Sequence, residues 1–134
     1  MPHLVVLYTG NLEAETDVSA LCRTLADAML TVRDEQAQQV YPTGGVRVLA
    51  YPAQHYAVAD GQRDYAFVYL NLRMGRGRSD AVKQRAGETV LAAAKRHFEP
   101  VFARRYLGLT LQIDEGQEVF DAKHSNIHPL FKKG

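Results

Sequence analysis

Apolar and polar positions along the chain alternate between two periods. Leu4 to Tyr8, LVVLY, is a short unbroken apolar run rich in branched side chains, which predicts a buried strand. After the polar stretch TGNLEAET, Asp17 can cap a helix. In that helix Val18, Leu21, Cys22, Leu25, Ala28, Met29 and Val32 recur at spacings of three and four, forming one apolar stripe. QAQQVYPTGG, with its proline and paired glycines, predicts a loop. Gly45 to Tyr51 then alternates as a second strand, with Val46, Val48 and Ala50 on one face and Arg47, Leu49 and Tyr51 on the other.

DGQRD, Asp60 to Asp64, reads as a turn, and Tyr65 to Leu72 as a third strand dominated by aromatic and branched residues. MGRGRSD breaks it, and Ser79 is placed to cap a second helix running through Val82, Ala86, Val90, Ala93, Ala94, His97 and Val101. Pro100 should kink or end that helix. Leu107 to Asp114 predicts a fourth strand, and the tail containing HSNIHPLFKKG has no clear period.

The expected class is therefore α/β (α+β), a single domain over 1–134: two consecutive β-α-β units in halves of roughly 1–58 and 59–118, with a C-terminal tail at 119–134. Two such units side by side make a four-stranded sheet with both helices on one face. The other face stays apolar, through Val46 and Val48 or through Tyr65, Phe67 and Tyr69. Either self-association or the tail has to cover it.

Composition narrows the function classes. A net charge of +1 over 134 residues supplies no field for nucleic acid or a membrane surface, so neither is expected as a partner. The single cysteine, Cys22, cannot form an internal disulfide and suits a reducing compartment. Neither a signal peptide nor an apolar stretch of about 20 residues is visible, which points to the cytoplasm.

Pro2 is the first candidate for chemistry. It is either a proline tolerated at the start of a strand or, once Met1 is removed, a secondary amine held at a strand end. An α-amine titrates near pH 8, and burial or a nearby cation lowers that value towards the range a general base needs. MGRGRSD is a candidate anion site, because Arg76 and Arg78 add planar cations where a helix opens. It lacks the third glycine of a dinucleotide fingerprint and the G-K-[ST] of a P-loop. Arg47 interrupts an apolar strand; on a wet edge it means little, and on a covered face it needs an acid or a bound anion. His124 and His128 lie four apart without a third ligand and read as structural histidines of the tail. Cys22, on the core stripe, reads as an inert buried thiol.

Taken together, PHLVV, YPTGGVR, ADGQRDYAFVYLNLRMGRGRS, QRAGE and SNIHPLF resemble the tautomerase superfamily over nearly the whole chain. Within it they are most similar to the 5-carboxymethyl-2-hydroxymuconate Δ-isomerase family. The resemblance implies an isomerase without cofactor or metal that loses Met1 and moves a proton between enol and keto forms of a carboxylated hydroxymuconate. It implies Pro2 as the general base, Arg47 and Arg78 as the arginines that bind the small-molecule carboxylate substrate, and a homotrimer with its sheets packed around an axis. The chain departs from the family pattern at Leu49, where relatives carry another arginine, and at Arg76, where a small residue is expected. A non-catalytic carboxylate binder of the same fold, or an oligomeric module, is the alternative.

Overall fold

The computed structural model describes residues 2–131. Its elements run β1 (His3–Thr9), α1 (Val18–Leu30), β2 (Arg47–Ala53), β3 (Ala66–Met74), α2 (Asp80–Phe102) and β4 (Leu107–Glu115). Short 3₁₀ turns lie at Gly10–Leu12, Thr43–Gly45 and His128–Phe131. The two β-α-β units are those the periodicity predicts. Both expected caps form: Asp17 accepts a hydrogen bond from the Ala20 amide at 3.0 Å and Ser79 one from the Val82 amide at 3.2 Å. Pro100 lies inside α2, which ends two residues later at Phe102; the proline has no amide to donate back along the helix.

The sheet has the order β2-β1-β3-β4, with β1 parallel to β2, β3 parallel to β4, and β1 antiparallel to β3. β2 is therefore an edge strand, which is why it tolerates Pro52. Both helices cover one face. Leu4, Val6, Val68, Leu70 and Leu72 meet Leu21, Leu25 and Met29 of α1 and Ala86, Val90, Ala94 and Phe98 of α2, all essentially inaccessible to water. Burying each large side chain of this set stabilises the fold by about 1.5–3 kcal/mol relative to exposure.

The pairing decides which apolar set faces away from the helices. Val46, Val48 and Ala50 pack against the core, so Phe67 and Tyr69 lie on the open face with Val5, Leu7, Leu49 and Tyr51. The tail does not cover them: Leu7, Leu49 and Tyr51 remain 44–49% exposed. Polar pairs between β3 and β4 share this face, Tyr69 donating to Gln112 at 2.9 Å and Asn71 to Asp114 at 2.8 Å.

The tail instead folds back on the loop before β2. A Cβ on Gly44 would stand 2.6 Å from the His128 Cα, so only glycine lets the two 3₁₀ turns approach this closely. No helix among the described residues is long and apolar enough to cross a membrane.

Candidate active site

One end of the sheet gathers the predicted chemistry. β1 and β2 begin there, and β3 and β4 finish there, because the central pair is antiparallel. His3 pairs with Arg47 on one side and with Arg73 on the other, so three basic side chains form a row across the open face. Pro2 is buried one residue before this row, just outside the ladder and level with Met74. At that position the missing amide costs the sheet no hydrogen bond. Desolvation first, then the charges of Arg47 and Arg73, hold the His3 imidazole below its usual range. Met1, whose removal the resemblance implies, lies outside the described residues.

Arg78 sits at the same end, between β3 and the cap of α2. Gly77 precedes it with φ of +110°, a conformation that only glycine adopts freely. The Arg78 guanidinium donates to the Gly75 carbonyl at 3.2 Å and to the Val40 carbonyl at 3.3 Å. It also lies over the Tyr41 ring, 5.2 Å from the centroid, within cation–π range. Tyr41 is fully buried, and its hydroxyl points at the Met74 sulfur, 3.7 Å away. Burial pushes the Tyr41 phenol up to about 12, Arg78 opposing the shift. Met74, level with Pro2, thus connects through Tyr41 to Arg78.

Arg47 donates only a long 3.4 Å hydrogen bond, to the Gly45 carbonyl, and has no carboxylate partner among the described residues. It opens on a cavity of about 620 Å³ between the Thr43–Gly45 turn and the tail, shared with Arg23, Lys123, His124 and Ser125. That volume lies within the roughly 300–1,000 Å³ usual for small-molecule sites. A larger hollow of about 920 Å³ between α2 and β4 contains none of the predicted residues. Asp80, Glu88, Asp114 and Glu115 line it, with Lys83 as the one cation among the described lining residues, the wrong charge for a carboxylate ligand.

Pro2, Arg47 and Arg78 are therefore brought to one sheet end but not into one cavity, since Arg78 lines a separate hollow beside Asp34 and Glu35. Three features escape the sequence reading. Tyr41 looked like a loop residue before a proline. Arg73 was recognisable only by counting alternation along β3. Lys123 carries no signal at all, and His124, expected as a structural histidine of the tail, lines the cavity instead. Cys22 is a free, half-buried thiol whose pKa burial raises, which fits an inert side chain. No cluster of three metal-ligating side chains occurs among the described residues.

A family model described as 5-carboxymethyl-2-hydroxymuconate isomerase matches residues 2–131. The chain is 33% identical over 132 residues to 5-carboxymethyl-2-hydroxymuconate Delta-isomerase of Escherichia coli, covering 98% of this chain and 100% of that one. It is similar to a crystal structure of a 5-carboxymethyl-2-hydroxymuconate delta-isomerase with 60% identity and a TM-score of 0.96, over 100% of this chain and 95% of the other. A 5-carboxymethyl-2-hydroxymuconate isomerase from Deinococcus radiodurans R1 follows at 37% identity and a TM-score of 0.86, covering 98% and 95%. At 17% identity a fused 4-OT solved as a symmetric trimer shares the fold alone, with a TM-score of 0.50 over 90% of this chain and 93% of that one.

Proposed function

Because the chain belongs to the 5-carboxymethyl-2-hydroxymuconate isomerase family, we propose that it moves a proton along the conjugated chain of a 5-carboxymethyl-2-hydroxymuconate-like dienol, with Pro2 as the base. The observation that supports the reading most is that a buried Pro2 lies at the same end of the sheet as Arg47 and Arg78, which line separate hollows of one chain.

The chemistry follows from the residues. Removal of Met1 turns the Pro2 nitrogen from an amide into a secondary amine. Burial and the cations of the His3 row disfavour its ammonium form, so the amine is available at neutral pH. Arg47 and Arg78 hold substrate carboxylates, each presenting a planar fork that matches two oxygens. The amine takes the proton of the dienol hydroxyl while negative charge spreads through the conjugated system, and the guanidiniums stabilise that charge. The same proton then returns to a carbon of the chain, giving the unsaturated ketone and restoring the free amine. No bond other than those to the moving proton is made or broken in σ framework, and no oxidant is consumed.

The working particle is a homotrimer in the cytoplasm, its open sheet faces turned towards one another. The exposure of Leu7, Leu49 and Tyr51 supports this, as does the symmetric trimer of fused 4-OT. A solution mass near 45 kDa, three times 15.0 kDa, is expected.

The test is ketonisation of 2-hydroxymuconate by wild type and by Pro2→Ala, with intact mass reporting on Met1. A loss of about 100-fold or more in the variant is expected. Equal rates refute the base. A fully retained Met1 together with dicarboxylate binding identifies a carboxylate binder instead.

A further inference from the structure

We infer that the C-terminal tail supplies the second wall of a carboxylate subsite, in which His124 and Lys123 face Arg47 across the cavity and select substrates bearing an additional carboxylate arm. The inference rests on the proposed role of Arg47 and goes beyond it by assigning the tail a part in specificity.

Three observations carry it. The cavity at Arg47 is built from three chain segments, α1, the turn that leads into β2 and the tail about 80 residues further on, and the tail donates Lys123, His124 and Ser125 to its lining. The seat of the tail is specific, because Gly44 leaves room for the His128 backbone where any side chain would collide. The charge balance also favours an anion. Arg23 is matched by Asp27 at 2.8 Å and Lys123 by Asp121 at 2.6 Å, both on the exposed surface where such pairs exchange readily for a ligand. Arg47 and His124 have no carboxylate partner among the described residues. A ring N–H of His124 can donate to an anion in either protonation state, and Lys123 adds a formal charge.

Ser125 is occupied, since its Oγ accepts from the Ile127 and His128 amides at 3.0 and 3.3 Å. It shapes the turn and leaves recognition to its two neighbours. The subsite would therefore take a flexible carboxymethyl arm, distinct from the carboxylates next to the reacting enol.

The experiment compares kcat/KM for 5-carboxymethyl-2-hydroxymuconate with that for 2-hydroxymuconate, which lacks the arm. Both mutated positions are exposed, so folding is expected to survive, and near-wild-type thermal melting verifies it. His124→Ala/Lys123→Ala should lower the ratio of the two values about tenfold, the loss typical of one charge-assisted hydrogen bond. Lys95→Ala, an exposed cation on α2, removes the same charge elsewhere and should leave the ratio within about twofold. Arg47→Ala tests the underlying reading separately. If Arg47→Ala raises KM while the tail variant leaves the ratio unchanged, the tail inference fails and the role of Arg47 stands. If Arg47→Ala leaves KM unchanged, the role of Arg47 fails, and the inference with it. A ratio that falls equally in Lys95→Ala reduces the effect to general electrostatics and also overturns the inference.

Discussion

Replacing Tyr41 by Phe and by Leu separates what its ring does from what its hydroxyl does. The phenol titrates only near 12, so the hydroxyl is neutral at every working pH and gives Arg78 no ionic partner. Among the described residues its hydrogen bond goes to a thioether, a weak acceptor, at 3.7 Å. Tyr41→Phe removes that bond and a buried polar group together, and the two terms offset to within about 1 kcal/mol. The ring is different. It lies 5.2 Å beneath the Arg78 guanidinium in a half-buried setting, worth about 1 kcal/mol, between the exposed and desolvated limits for cation–π pairs. Tyr41→Leu loses that attraction and also leaves a void beside Met74, costing a further ~2 kcal/mol in stability. Arg78 keeps its two carbonyl contacts, so it is displaced rather than released. Steady-state kinetics on 2-hydroxymuconate should show KM within about twofold of wild type for Phe and raised about fivefold for Leu, since 1.4 kcal/mol is a factor of ten. Thermal melting records the stability loss separately. Equal increases in KM for the two variants would refute the argument, because the hydroxyl rather than the ring would then be placing Arg78.

Two further outcomes follow from other contacts. Desolvation holds His97 below its usual range, Asp17 opposing, with its Nε2 2.7 Å from the Thr16 hydroxyl, and His3 is shifted in the same direction. The unfolded chain, with histidines near pH 6.5, then binds more protons in the window between the folded and unfolded values. Stability is complete above about pH 6.5 and declines as pH falls through that window. His97→Gln should flatten the dependence of Tm on pH between 5 and 7, and an unaltered slope would argue against the histidine. Gly44→Ala places a methyl group 2.6 Å from the His128 Cα. Keeping the tail docked would cost about 1–3 kcal/mol of overpacking, whereas the exposed tail has little burial to lose, so it should release instead. Faster tryptic cleavage at Lys123 with little change in Tm is expected; unchanged cleavage means the turn absorbed the methyl.

The two β-α-β units were legible because their periods are clean and their caps are local. Asp17 and Ser79 need only a neighbouring amide three residues on, and both find it. The open face was not legible, since β3 is apolar on both sides. Val68, Leu70 and Leu72 prevail because the helix stripes close over them, while Phe67 leans over Gly108, where a Cβ would meet its ring at 2.8 Å. Arg47 stood out as a cation on an apolar strand, and Arg78 as one at a helix start. Their arrival at the same sheet end depends on the antiparallel β1–β3 pairing, which local patterns do not encode. Tyr41 and the tail entered only as segments of the resemblance, YPTGGVR and SNIHPLF; their contacts stayed illegible for a related reason, being single, long-range and aperiodic.

Arg47 and Arg78 line different hollows of one chain, and this arrangement bears on where a substrate can touch both. Arg47 lies on the open face of edge strand β2, so closing that face against another copy brings the edge beside a neighbour. In the proposed homotrimer, a substrate held by both guanidiniums is shared between chains on this reading, and the two arginines should then complement in trans. Arg47→Ala and Arg78→Ala variants of the proposed homotrimer are each expected to lose most activity at low substrate. Unfolding and refolding an equal mixture assembles mixed trimers at random. A site that draws Arg47 from one chain and Arg78 from the next is intact in about half times half, a quarter, of cases. Recovery of about a quarter of wild-type kcat/KM, absent when the separately assembled variants are mixed without refolding, supports sharing. If both arginines of a site came from one chain, every site in the mixture would lack one of them and no activity would return. The experiment thus decides between a shared and a private pocket without any knowledge of the natural substrate.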